Sequence, residues 1–143
     1  MEQKLVFRNP DLFPLLGYRQ FIRDHMPKPK EGYVAEDIDL AINLYGENYG
    51  LDERGRYWLM ELKYGDSWLK KGQRYLFSTI DQDLRESKRY GGFYVINYYS
   101  TDFESSPYFK INGRKVDSEG MKEFLNCPDR QERMRFPKKN KIE

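Results

Sequence analysis

The stretch RYWLMELKYG, residues 56–65, is apolar and aromatic except for its flanking Arg56 and two internal charges, Glu61 and Lys63. Residues two apart in an extended chain project to the same side. A charge inside a buried strand costs several kcal/mol unless it is paired, metal-bound or facing a cleft. A second acidic signal stands upstream in DIDLAI, residues 37–42, where Asp37 and Asp39 alternate with Ile38 and Leu40. If Ile38, Leu40, Trp58, Met60 and Leu62 pack on one side of a hairpin, Asp39 and Glu61 meet on the other, with Lys63 one step further along. Opposed side chains of an antiparallel pair lie about 5 Å apart, and diagonal ones about 7–8 Å. Two carboxylates with several retained waters are what Mg²⁺ prefers. A nearby lysine can orient or deprotonate a metal-bound water, while the metal screens charge on a phosphodiester. The blander alternative, a Glu61–Lys63 ion pair at a sheet edge, contributes only ~0–1 kcal/mol and leaves Asp39 unexplained. Asp37 reads as a solvated strand end rather than a further ligand.

The elements that must position these residues follow from periodicity. KLVF (4–7) reads as a short edge strand, and residues 10–26 as a helix with Asn9 as cap and Pro10 in its first turn. Ile38, Leu40, Ile42 and Leu44 alternate with polar or small residues, which is strand spacing. The segment 46–55, GENYGLDERG, then turns the chain into the Glu61 strand as an antiparallel neighbour. Residues 68–90 form a long amphipathic helix, with Leu69, Gln73, Leu76, Phe77, Ile80 and Leu84 near one face. GGFYVINYYST (91–101) is a central strand, its tyrosines read mainly as sheet packing, with base stacking the alternative. YFKINGRKV (108–116) carries an Asn-Gly hairpin signal, and residues 117–126 a short capped helix. The tail from Cys127 to Glu143 holds six basic and three acidic residues, interrupted by Pro128 and Pro137; most of it is expected to be irregular and mobile.

Composition bounds what this scaffold can do. The 143 residues are one domain's worth, with aromatics at 16% compensating for a hydrophobic content of 38%. A net charge of +2 excludes a strong global pull on polyanions but leaves room for local patches. The single cysteine, Cys127, excludes an internal disulfide or a cysteine zinc cage. The single histidine, His25, removes most of the material for histidine-based metal sites and nucleophilic triads, and reads as a surface or helix-capping residue. With no apolar run of about 18 residues and no signal-peptide core in MEQKLVFRNP, a soluble, intracellular (cytoplasmic) protein is expected.

The ordered set DIDLAI, YWLMELK and the GQ pair at 72–73 resembles the PD-(D/E)XK nuclease superfamily over roughly residues 33–98. The resemblance implies an α/β fold, a mixed sheet with flanking helices around a restriction-endonuclease-like core. It matches Asp39 to the metal-binding aspartate, Glu61 to the (D/E) position and Lys63 to the lysine. Gln73 is similar to the glutamine of virus-type replication-repair nucleases, which packs near the site and contacts water or substrate. Two features depart from the pattern: no proline precedes Asp39, and the first helix offers no evident acidic ligand, for which Glu31 or Glu36 are the stand-ins.

The resulting expectation is a Mg²⁺-dependent deoxyribonuclease, with Mn²⁺ able to substitute. Its single domain covers residues 1–126, followed by the basic tail 127–143. Asp39, Glu61 and the Leu62 carbonyl would hold the metal, Lys63 would activate water and Gln73 would position it. Lys70, Lys71 and Arg74 at the helix start, and Arg133, Arg135, Lys138 and Lys139 in the tail, are candidate contacts to DNA phosphates. DNA would be recognised by shape or ends, with a homodimer as one arrangement, since no separate sequence-reading module is evident. The alternative is a catalytically inactive nuclease-fold protein that binds nucleic acid or a protein partner.

Overall fold

The structure, a computed structural model, describes residues 38–44, 55–126 and 128–136 together with Phe21, Asp24 and His25. The chain divides into two compact units, Met1–Glu36 and Asp37–Glu143. In the first, Phe21, Asp24 and His25 are helical, and the Phe21 and His25 rings lie 4.4 Å apart.

The second unit is an α/β fold. Its five strands are β1 (Leu40–Leu44), β2 (Arg56–Tyr64), β3 (Tyr90–Tyr98), β4 (Phe109–Ile111) and β5 (Arg114–Val116). They lie side by side in chain order. β1 and β2 pair antiparallel, as the alternation on either side of the 46–55 turn predicts. β2 and β3 are parallel, a pairing that requires a crossover; helix α1 (Lys71–Leu84) supplies it. The sheet finishes antiparallel through β4 and β5. Asn112 and Gly113 join the last two with φ of 51° and 82°, the left-handed pair that a two-residue hairpin turn demands.

Strand parity divides the core. Trp58 and Met60 join Tyr94, Ile96, Phe109 and Ile111 on one sheet face, beneath Met121 and Phe124 of helix α2 (Ser118–Asn126). Leu59, Phe93 and Val95 point to the other face, against Leu69 and Phe77, where the Phe77 and Phe93 rings stack at 4.6 Å. Helices thus cover both faces of β3, which accounts for its unbroken burial from Tyr90 to Asn97. Among the described residues no helix is long and apolar enough to cross a membrane.

Three expectations are corrected. Helix α1 is shorter than 68–90: Asn97 Nδ2 binds the carbonyls of Gly65 and Ser67, both at 2.8 Å, and keeps the approach to Lys71 a loop, while residues 85–89 turn the chain into β3. Leu76, placed on its apolar face, is exposed. The tail is not irregular throughout: Pro128–Met134 forms helix α3. Gln131 is buried there, donating from Nε2 to the Phe124 carbonyl at 3.1 Å, while Tyr94 Oη donates to the Gln131 carbonyl at 2.8 Å. Charge counting hid this helix, since Gln131 and Met134, three apart, supply the inward face of an otherwise charged turn.

Candidate functional site

Asp39 occupies a bend just ahead of β1. The register Leu40↔Met60, continued one step, sets it opposite Glu61. Its Oδ2 accepts the Leu62 N–H at 2.8 Å. That amide faces the β1 edge where the strand has stopped, so the side chain replaces a missing ladder acceptor and is itself fixed. In an antiparallel pair the N–H and C=O of one residue face the same neighbour, so the Leu62 carbonyl is directed to the Asp39 side as well.

Glu61 is 5% exposed, unusually little for a carboxylate. Its Oε1 lies 3.7 Å from Lys63 Nζ. Its Oε2 is buried and has no hydrogen-bond partner among the described residues. Burial, then the Asp39 carboxylate, push the Glu61 pKa up to about 7, with Lys63 opposing them. Lys63 Nζ donates to Gln73 Oε1 at 3.2 Å, and the same oxygen accepts the Lys70 N–H at 3.2 Å. Gln73 therefore caps the start of α1 and holds the lysine at once. The structure brings Asp39, Glu61, Leu62, Lys63 and Gln73 together from three separate segments.

The donors suit a small hard cation. An orphaned, buried carboxylate oxygen beside a second carboxylate is a charge arrangement that a cation relieves, and the Leu62 carbonyl adds a neutral oxygen. Oxygen ligands few in number, completed by water, fit Mg²⁺. Among the described residues no group of three or more His, Cys, Asp or Glu side chains comes together. Asp37, Glu31 and Glu36 lie outside the described residues.

The phosphate-binding candidates separate. Lys70 and Lys71 are exposed at the start of α1, beside the site, with Lys71 Nζ 5.8 Å from the Tyr75 ring centre. Arg74 follows one turn on, half-buried. Arg133 belongs to α3, whose Met134 packs into the core on the opposite sheet face. Arg135 lies 5.4 Å from the Tyr90 ring centre and 3.8 Å from Glu132, engaged at the far end of β3. These two arginines are not gathered at the carboxylates. Lys138, Lys139 and Cys127 lie outside the described residues. Asn97 was not singled out from sequence, although it anchors the loop that carries Lys70; its signal was a lone amide inside the apolar run FYVINYY.

Two expected results arise here. Gln73→Leu removes a cap acceptor and should cost about 1 kcal/mol in denaturant unfolding, and should lower turnover further by releasing Lys63. Turnover unchanged in the folded variant would reduce Gln73 to a cap. The second concerns pH. Between about 4.5 and 7 the folded state holds the Glu61 proton more tightly than the unfolded chain, so metal-free stability should fall as pH rises through that window. At about 1.4 kcal/mol per pKa unit the loss is on the order of 3 kcal/mol. Melts at pH 5 and pH 8 in chelator measure it; Mg²⁺ should restore most of the loss at pH 8 and little at pH 5.

Comparison of the chain with protein-family models, with curated proteins and with solved structures finds no match.

Proposed function

We propose that the chain is a metal-dependent nuclease of the PD-(D/E)XK type that hydrolyses DNA phosphodiester bonds. One observation carries the reading: Asp39 is locked beside Glu61 through the Leu62 N–H, with Lys63 and Gln73 in contact next to them. The order of elements supports it too, with an antiparallel hairpin bearing the carboxylates, then a helix, then a further strand, the order that the resemblance implies.

Mg²⁺ or Mn²⁺, held by Asp39, Glu61 and the Leu62 carbonyl, would supply charge screening and a more acidic bound water. The protein's own groups do the rest. Lys63 Nζ, held between Glu61 Oε1 and Gln73 Oε1, orients the attacking water. Gln73 Oε1 is already engaged by two donors, so its Nε2 is the group left to bind water or the scissile strand. Lys70 and Lys71 steer phosphates toward the start of α1. Incubation with supercoiled, linear, single-stranded and branched DNA, with Mg²⁺, Mn²⁺ or chelator, tests the reading. Cleavage is expected only with metal. Binding without cleavage on all four substrates would leave an inactive nuclease-fold binding protein.

A further inference from the structure

A second group of side chains stands on the same sheet face as Glu61 and Lys63. Lys63, Asn97, Lys110 and Lys115 are consecutive register partners across β2, β3, β4 and β5. At 4.7–4.9 Å per strand, Lys110 lies about 10 Å and Lys115 about 15 Å of backbone distance from Lys63. Beside them Tyr99 and Tyr108 stack, with ring centres 4.4 Å apart and planes 26° from parallel. Lys110 Nζ lies 5.9 Å from the Tyr99 ring centre, and Lys115 Nζ 4.3 Å from that of Tyr108. The result is a column of two stacked rings with the Lys115 ammonium over the Tyr108 face and the Lys110 ammonium at the hydroxyl edge of Tyr99. Asp66 fixes one ring, accepting from Tyr99 Oη at 2.8 Å, and lies 3.5 Å from Lys110 Nζ.

We propose that this column is a track for single-stranded nucleic acid beside the carboxylate pair, from which the loop anchored by buried Asn97 separates it. That the bound strand is the one cut rests on the nuclease reading; the binding surface does not. Charge complementarity identifies the occupant. Lys110 and Lys115 are directly opposed across β4 and β5, and like charges in that position disfavour a sheet. Asp66 offsets part of that repulsion at Lys110, and a phosphate beside Lys115 removes the rest. Lysine stems are flexible, so the Lys115 ammonium can leave the Tyr108 face for a phosphate while a base takes its place on the ring. Aromatic faces interleaved with cations bind unpaired bases in a sequence-tolerant way. A duplex hides its base faces within the stack, so the column favours single strands, tails or flaps.

The test is fluorescence anisotropy of the full chain in chelator, with a labelled oligothymidylate and a blunt duplex of equal length. Lys110→Ala with Lys115→Ala should weaken single-strand binding roughly tenfold at moderate salt and lower the salt slope by about 1.4, since about 0.7 counterion is released per single-strand phosphate. Tyr108→Leu should weaken it about five- to a hundredfold with the slope unchanged. Duplex affinity should move little in either, and circular dichroism melts confirm folding. Wild-type single-strand binding in both variants, no single-strand binding by the wild type, or equal losses on duplex would overturn the track. Metal-dependent cleavage, assayed separately, distinguishes the two readings. A wild type that binds through the column yet cuts nothing supports the track and sinks the nuclease; one that cuts while both variants bind normally does the reverse.

Discussion

Glu61→Gln is expected to reduce metal-dependent cleavage by about a thousandfold or more while leaving the metal-free protein as stable as the wild type or more so. The two effects share one cause. Glu61 is almost fully buried beside Asp39, and one of its oxygens lacks a partner among the described residues. Ionising it without a cation therefore costs free energy, which is why its pKa rises. The amide keeps the shape and removes the charge, so the penalty disappears at pH 8. The same change removes an anionic ligand, and a thousandfold loss corresponds to about 4 kcal/mol of transition-state stabilisation. Asp39→Asn should act alike, because asparagine retains an oxygen to accept the Leu62 N–H.

A structural ion pair gives the opposite pattern. If Glu61 existed to neutralise Lys63, its removal would strand a partly buried cation and destabilise by roughly 3–5 kcal/mol. The 3.7 Å separation and the competing bond from Lys63 to Gln73 argue against that role. Thermal melts at pH 8 in chelator decide the point: a large drop in melting temperature for Glu61→Gln would remove the metal-site reading.

The candidate site was legible because strand parity is a strict rule. With a period of two, the positions of Ile38, Leu40, Trp58 and Met60 determine where Asp39 and Glu61 must point once the strands pair, and the pairing is antiparallel as the turn required. The Asn-Gly hairpin was legible for a similar local reason. Gln73 was harder, since from sequence it could be a cap or a site residue, and the same oxygen serves both roles. Helix α3 and the tyrosine–lysine column were hidden. Their meaning depends on tertiary neighbours: Gln131 against Tyr94 and Phe124, Tyr99 against a ring nine residues away. No periodicity within a single segment reports such pairings.

A buried charge whose removal should be costly for stability sits at the other end of the sheet. Asp81 is 1% exposed. Its Oδ2 accepts from Arg85 Nη2 at 2.6 Å, and its Oδ1 from Tyr90 Oη at 2.6 Å. Arg85 Nη2 also donates to the Phe136 carbonyl at 2.7 Å, tying α1 to the start of β3 and to the chain after α3. Burial, reinforced by the bond to Asp81, pushes the Tyr90 phenol well above its ordinary pKa, so it stays a neutral donor. Asp81→Ala would leave a buried guanidinium and a buried hydroxyl without their acceptor, a change worth about 3–5 kcal/mol. That is a large share of the 5–15 kcal/mol by which a domain is stable. Urea unfolding should show it, and Asp81→Ala combined with Arg85→Met should recover part of the loss, because the stranded charge goes with its partner. Cleavage per folded molecule at low temperature should stay near the wild-type value, since Asp81 bonds to the first residue of β3 whereas Glu61 and Lys63 lie toward the last residues of β2. A loss below 1 kcal/mol, or a double variant no better than Asp81→Ala alone, would show that this network contributes packing rather than charge balance.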